Sequence, residues 1–168
     1  MRKSTNTLRN TVFFLFCSFL SVSALAQKKN AAYKLNIRPA TSTIEIDGMM
    51  DEKAWQDADL ADNFFMVLPM DTSRASVKTE VKMAYDNDNL YVSAVCFTSG
   101  DYVVESLRRD FNFGKNDNFL VFIEPFNDLT NGFAFGVNAA GAQWDGQMYD
   151  GGKVDLSWQQ GKLQKYAL

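Results

Sequence analysis

Carboxylate and aromatic side chains are the groups with which this sequence could do chemistry, because the 168-residue chain contains no histidine. The absence of histidine removes Ser-His-Asp hydrolysis, Cys-His nucleophilic catalysis and every His-ligated zinc or iron site. Neither G-x-G-x-x-G nor the P-loop pattern occurs, so the chain has no glycine-rich phosphate cradle. The remaining groups suit calcium or sugar.

Paired carboxylates can hydrolyse glycosides, one acting as an acid and the other as a base or nucleophile. Glu80, Asp117 and Glu124 are the candidates for such a pair. The sequence gives no separation between them, and Glu80 falls on the polar face of an alternating strand pattern. We therefore interpret these carboxylates as solvated or turn positions and predict no catalytic residue.

Two oxygen-rich segments could bind calcium, which takes six to eight oxygen ligands. Asp86 to Asn89 reads D-N-D-N and opens like an EF-hand loop, but it lacks the glycine at position six and the glutamate at position twelve. A hairpin turn is the favoured interpretation. Asp110 to Asn118, D-F-N-F-G-K-N-D-N, is an equally weak candidate. Metal binding thus stays open, and no cofactor is required.

Sugar binding uses flat aromatic faces for stacking and polar side chains for hydrogen bonds to hydroxyl groups. The aromatic residues in the predicted loops are Phe111, Phe113, Trp144, Tyr149 and Trp158, and the polar residues near them are Arg108, Arg109, Asn138 and Gln143. Most aromatic residues of a β protein belong to its core. Trp144 and Tyr149 are the aromatic residues that we least expect in the core, because they fall in a Gly/Asp-rich stretch that predicts a loop.

Alternating apolar and polar residues predict the strands that must position these groups. Thr79 to Tyr85 and Leu90 to Phe97 predict a hairpin, with the second strand buried on both faces and Cys96 buried and inert. Phe119 to Glu124 and Gly132 to Asn138 predict a second pair. Strands spaced by turn residues favour an all-β fold, an antiparallel β-sandwich, over a parallel arrangement.

The segment Ile44 to Trp55 reads I-E-I-D-G-M-M-D-E-K-A-W and predicts the entry into the domain. Asp47-Gly48 is a turn signal, because Asp tolerates the left-handed region and Gly supplies positive φ. About two helical turns from Met50 to Leu60 then place Trp55 toward the core. We interpret this segment as a structural latch.

The first 26 residues predict a secretory signal peptide, with basic Arg2, Lys3 and Arg9, a short apolar run and Ala24-Leu25-Ala26 at the cleavage point. Residues 27–35 predict a flexible tail. Three of the 17 basic residues and none of the 20 acidic residues precede Gln27, so the mature chain has a net charge of −6. This balance disfavours nucleic acid, whose phosphates are bound by Lys and Arg.

Four ordered motifs resemble the family-nine carbohydrate-binding module. They are the Ile44–Trp55 segment, T-E-V-K-M-A-Y-D-N-D-N-L-Y-V from Thr79, N-D-N-F-L-V-F-I-E-P-F-N-D from Asn116 and F-A-F-G-V-N from Phe133. The likeness covers residues 36–158 and is greatest to the copy at the N-terminus of large exported Gram-negative proteins, where a region of unknown function, expected to be an outer-membrane β-barrel, follows.

The resemblance implies a β-sandwich related to jelly-roll and immunoglobulin-like domains, often with structural calcium. Sugar-binding members grip a glycan end between two tryptophans. This chain has Phe113-Gly114 where such members carry one of them and Gly136 where they can carry an arginine. The strands that supply the second tryptophan are expected beyond Trp158, so residues 159–168 predict a tail or a truncation point.

These observations lead to a non-catalytic, carbohydrate-binding-like domain of an exported cell-envelope protein, in the periplasm, in the outer membrane or outside the cell. The site residues that we predict are Trp144 and Phe113 as platforms and Arg109 and Asn138 as hydrogen-bonding partners for a polysaccharide or oligosaccharide. One alternative is an interaction domain docked on a membrane β-barrel of the same parent protein. Another is an accessory domain of a glycoside hydrolase in carbohydrate catabolism.

Overall fold

In a computed structural model, the described part of the chain is all-β, with two four-stranded sheets and almost no helix, which confirms the predicted sandwich-like fold class. The structure describes residues 33–66, 73–98 and 100–158, and a compact unit begins at Leu35. Its elements are β1 (Arg38–Pro39), α1 (Lys53–Asp57), β2 (Leu60–Ala61), β3 (Thr79–Tyr85), β4 (Leu90–Cys96), a 3₁₀ helix (Phe113–Lys115), β5 (Asn118–Ile123), β6 (Gly132–Asn138), β7 (Gln143–Tyr149) and β8 (Lys153–Asp155).

The N-terminal sheet is organised around β3. The strand β4 pairs with β3 in antiparallel register along its whole length, from Thr79 opposite Cys96 to Tyr85 opposite Leu90. The two-residue strands β1 and β2 lie on the other side of β3, and β1 is parallel to it. The sheet is therefore mixed rather than purely antiparallel.

The predicted latch is formed as a turn followed by one helical turn. The Asp47 carboxylate accepts a hydrogen bond from the Met49 backbone N–H at 2.8 Å, and Gly48 has a φ of 90°. The Ala54 backbone N–H, in the first turn of α1, donates a hydrogen bond to Ser42 Oγ at 3.1 Å. Trp55 is buried in a cluster with Ile44, Ala54 and Ala84. The inward orientation predicted for Trp55 is confirmed, although α1 is shorter than the predicted helix.

The C-terminal sheet has the simple antiparallel order β5-β6-β7-β8. Asn118 to Ile123 pair with Asn138 to Phe133, and Gly132 to Val137 pair with Met148 to Gln143. This sheet has its own hydrophobic cluster, whose buried members are Phe111, Ala134, Ala142 and Trp144. No residue of this cluster belongs to the cluster of the N-terminal sheet. Each sheet thus has a separate core among the described residues.

Three predictions about the strands need correction. The outer strand β4 is not buried on both faces, because Leu90, Ala94 and Cys96 are exposed. Cys96 is therefore an exposed free thiol rather than a buried one. The stretch around Trp144 and Tyr149 is not a loop but the strand β7.

The predicted signal peptide (1–26), most of the predicted tail (27–35) and residues 159–168 lie outside the described residues. Within the part of the chain that is described, no helix has the length and apolar character needed to cross a bilayer.

Candidate functional site

The strand β7 presents different chemistry on its two faces, because successive side chains of a strand point to opposite sides. Trp144 points to one face, where it is 2% exposed and packs with the buried Phe111. Gln143 and Asp145 point to the other face, where Asp145 is fully buried. Any site on this strand therefore lies on one face or the other.

Glycine at position 136 is required by the close approach of β5. Gly136 lies directly opposite Trp144 in the β6–β7 register. A Cβ atom at this position would come within 2.1 Å of Leu120 Cδ2 and 2.8 Å of the Phe119 carbonyl oxygen. A larger side chain such as arginine would meet the same backbone oxygen. Gly136 is thus a structural feature of this core.

Two exposed aromatic rings flank the buried Trp144. The Phe113 ring meets the Trp144 ring edge to face, with centroids 6.0 Å apart, and Phe122 approaches it at 6.4 Å. Phe113 is 55% exposed and Phe122 is 52% exposed. We call these two rings, which both contact Trp144, the Phe113–Phe122 surface. An exposed aromatic pair of this kind is a ready contact surface for an apolar or amphipathic ligand face.

Asparagine side chains fix the 3₁₀ helix that carries Phe113. The Asn112 side chain accepts a hydrogen bond from the Gly114 backbone N–H at 3.0 Å. Asn118 Nδ2 donates to the Phe113 carbonyl oxygen at 2.7 Å. Asn116 is buried, and its Oδ1 accepts bonds from the backbone of Glu105 and Ser106 while its Nδ2 donates to Asn112. The N-D-N motif thus immobilises the loop that presents Phe113.

Asn138 braces a turn and is not placed to bind a ligand. Its Nδ2 donates to the Ser106 carbonyl oxygen at 2.7 Å, and its Oδ1 accepts bonds from Ala140 and Ala142 at 3.1 and 2.8 Å. The residue is only 1% exposed. A ligand hydroxyl cannot reach this amide, so the role predicted for Asn138 is replaced by a structural one.

Arg109 is held on the face of β7 opposite Trp144. Its Nη1 donates to Gln143 Oε1 at 2.9 Å, and its Nη2 contacts a carboxylate oxygen of Asp145. Because Gln143 and Asp145 alternate with Trp144, the Arg109 guanidinium and the Phe113–Phe122 surface occupy opposite faces of the sheet. The structure therefore brings together Phe113 and Trp144 of the four predicted residues and separates Arg109 and Asn138 from them.

Asp110 completes a polar group that we call the Arg109 cluster, which comprises Arg109, Asp110, Gln143 and Asp145. Asp110 has a φ of 57°, its backbone N–H donates to the Gln143 carbonyl oxygen at 2.9 Å, and its Oδ2 lies 3.8 Å from Arg109 Nε. Burial is the main cause that raises the Asp110 pKa, and the nearby Asp145 carboxylate adds to it. Two carboxylates therefore share one guanidinium at this edge of β7.

The burial of Trp144 changes its part in the predicted platform. A ring with almost no accessible surface cannot stack on a sugar, whereas Phe113 and Phe122 present theirs to solvent. Phe122 was missed by the sequence interpretation because it lies within a continuous apolar strand. The alternation of Trp144, Gly146 and Met148 with Gln143, Asp145 and Gln147 is the signal that could have identified β7.

The three candidate carboxylates each take part in local structure. Glu80 forms an ion pair with Lys78 at 2.5 Å, Asp117 accepts a bond from the Val103 N–H at 2.9 Å, and Glu124 accepts one from the Asp128 N–H at 2.8 Å. These local bonds support the interpretation of each as a structural position.

The Asp86 segment is built as a hairpin turn. One Asp86 oxygen accepts the backbone N–H groups of Asp88 and Asn89 at 2.8 and 2.7 Å, and the other accepts the Tyr91 hydroxyl at 2.7 Å. The Tyr91 bond is the main cause that lowers the Asp86 pKa to about 2. No three Asp, Glu or Cys side chains among the described residues are grouped as a metal site.

Comparisons with known proteins gave no match to a family model, to a curated protein or to a solved structure.

Proposed function

We propose that this chain is a non-catalytic, carbohydrate-binding-like domain of an exported cell-envelope protein, and that its ligand contacts the Phe113–Phe122 surface. The observation that carries the proposal is Phe113 itself, a half-exposed ring that meets the Trp144 ring edge to face and lies on a loop whose backbone is held by asparagine hydrogen bonds. A rigid aromatic face binds a pyranose ring without paying much side-chain entropy.

Phe122 extends the platform beyond one ring. Both phenylalanines contact the same Trp144 side chain, at centroid distances of 6.0 and 6.4 Å. Two exposed rings that contact the same tryptophan suit consecutive sugar units of a chain better than a single monosaccharide. We therefore expect oligosaccharides of β-glucan or xylan to bind more tightly than their monomers.

Calorimetric titration with β-glucan and xylan oligomers, after a glycan-array screen, tests this function. Phe113→Ala should weaken binding at least about tenfold, which corresponds to about 1.4 kcal/mol. Phe126→Ala is the matched control, because Phe126 is also exposed but packs against Phe133 rather than Trp144. The absence of heat with every glycan, or equal losses for both variants, would contradict the proposal.

A second candidate function, docking on another region of the parent protein, is favoured by the segment before the Arg109 cluster. Tyr102, Val103 and Leu107 are large apolar residues that this segment exposes to solvent. Exposed apolar groups close together in sequence are typical of a protein contact. In the intact parent protein, residues 102–107 would then exchange their amide hydrogens more slowly than in the isolated chain, whereas equal exchange in both would argue against docking.

A further inference from the structure

Among the residues that the structure describes, the outer side of β4 is an open hydrogen-bonding edge. Within residues 33–66, 73–98 and 100–158, β3 is the one strand that pairs with β4. At the two ends of this hairpin the Phe97 N–H donates to the Lys78 carbonyl at 2.9 Å and the Asp86 N–H donates to the Asn89 carbonyl at 3.0 Å.

These two bonds fix the phase of the ladder, because hydrogen-bonded pairs alternate with non-bonded pairs in antiparallel strands. Tyr91, Ser93 and Val95 therefore direct their backbone groups toward β3. The backbone N–H and C=O groups of the alternate residues point outward; these residues are Leu90, Val92, Ala94 and Cys96.

This edge lacks the features with which proteins normally block strand pairing, such as charges, prolines, bulges and short length. The run from Leu90 to Phe97 contains no charged residue, no proline and no glycine. By contrast, β5 is preceded by Asp117 and followed by Glu124-Pro125, β8 has three residues, and β1 and β2 have two each. Among the described edge strands, β4 thus carries the longest uncharged run.

We propose that this edge pairs with β4 of a second copy of the chain and joins two N-terminal sheets across a twofold axis. An uncharged strand can face itself in antiparallel orientation without opposing like charges. When Ser93 lies on the axis, Leu90 faces Cys96 and Val92 faces Ala94 of the other copy. This register is the one that employs every outward N–H and C=O of the strand. Beyond the strand, Asp88 then faces Thr98 of the other copy, so that no two acidic side chains oppose each other there.

The proposed register makes a specific cross-linking prediction. Ser93 faces its own copy as a non-hydrogen-bonded pair, in which Cα atoms are about 4.5 Å apart. This separation is compatible with a disulfide. Cys96 faces Leu90 instead and lies six residues along the strand from its own copy. Ser93→Cys, in a Cys96→Ser background, should therefore form a disulfide-linked dimer on mild oxidation, whereas the native Cys96 should not.

Light scattering and sedimentation of the purified full chain over a range of concentrations test the association itself. We expect a concentration-dependent dimer, and Ala94→Lys should raise its dissociation constant at least tenfold by placing two ammonium groups at the paired edge. Ala94→Ser is the matched control and should dimerise like the native chain. Circular dichroism establishes whether each variant is folded. If Ala94→Lys does not fold, the Ser93→Cys cross-link tests the proposed dimer in its place.

Three results would overturn the proposal. One is a chain that stays monomeric at every concentration. This result includes a monomer in which another part of the same chain protects the outward amides of β4. The second is a dimer that survives Ala94→Lys in folded protein and fails to cross-link through Ser93→Cys, because it would use a different surface. The third is a native dimer cross-linked through Cys96, because it would require a different register.

Discussion

The two sheets are both built around an antiparallel strand pair, but they differ in what completes them. In the N-terminal sheet, β3 is flanked on one side by two-residue strands, and none of the described strands pairs with the outer edge of β4. In the C-terminal sheet, four strands follow one another, and the preceding loop is pinned to them through Asn116 and Asn138. The difference leaves a half-exposed aromatic surface on the C-terminal sheet and, among the described residues, an unpaired strand edge on the N-terminal sheet.

The largest effect should come from removing the tryptophan at the centre of either core. Trp144→Ala and Trp55→Ala should each lower the free energy of unfolding by about 3–5 kcal/mol, because both side chains are buried. Urea unfolding followed by circular dichroism measures this loss. Trp144→Phe, which keeps an aromatic ring, should cost less than Trp144→Ala.

The double variant sharpens the comparison between the sheets. The two core clusters have no residue in common. The losses from Trp55→Ala and Trp144→Ala should therefore add to within about 0.5 kcal/mol, as for independent sites. A coupling well above this value would show that the cores act as one.

A smaller, pH-dependent effect is expected at Asp110. Its pKa in the folded chain is raised, mainly by burial, so the folded state binds its proton more tightly than the unfolded state and stability falls as the pH rises through the folded pKa. Asp110→Asn removes this loss and should make the chain more stable than the native one at pH 7. The gain should disappear below the unfolded pKa of Asp, about 3.9.

Asp110→Ala is the control for this prediction. Asn tolerates the φ of 57° at this position, whereas Ala pays about 1–2 kcal/mol in the left-handed region. Thermal unfolding between pH 3 and pH 8 should therefore separate the two variants, with Ala the less stable at every pH. If the Asp110→Asn variant is no more stable than the native chain at pH 7, the raised pKa of Asp110 is contradicted.

The smallest effect is expected in the β3–β4 turn of the N-terminal sheet. Tyr91→Phe removes the main cause of the low Asp86 pKa, which then returns toward its ordinary range. The depressed pKa contributes stability above the unfolded value of about 3.9, and this contribution is lost as the pH falls through about 2. Tyr91→Phe should thus be slightly less stable than the native chain at pH 7, and the difference should narrow as the pH falls toward 2. An equal difference at both values would assign the loss to packing.

The sequence predicted those parts of the fold that short periodic patterns specify. The β3–β4 and β5–β6 pairs and the burial of Trp55 follow from alternation and from a turn signal, and all were predicted. The strand β7 was missed because Gly146 and Asp145 suggested a loop. Gly146 is instead required by packing, since a Cβ atom there would lie 2.4 Å from Val154 Cγ1. Such a close approach depends on β8, and no local pattern encodes it.

The candidate site was less predictable for the same reason. Phe113 and Trp144 are neighbours only because β7 brings position 144 beneath the loop at 113. Composition suggested Arg109 and Asn138 as partners, but the strand period places Arg109 on the other face and the turn encloses Asn138. The sequence could therefore indicate the kinds of group involved, whereas the sheet register determined which of them meet.

Backbone amide chemical-shift mapping with a bound β-glucan or xylan oligomer is the most direct test of the central claim. The largest shifts should fall on Phe113, Phe122 and the residues that hold the 3₁₀ helix, and they should be lost in Phe113→Ala. Shifts centred on the opposite face of the sheet, around Phe133, Phe135 and Trp158, would contradict the Phe113–Phe122 surface as the ligand site. The absence of any shift with these glycans would contradict carbohydrate binding itself.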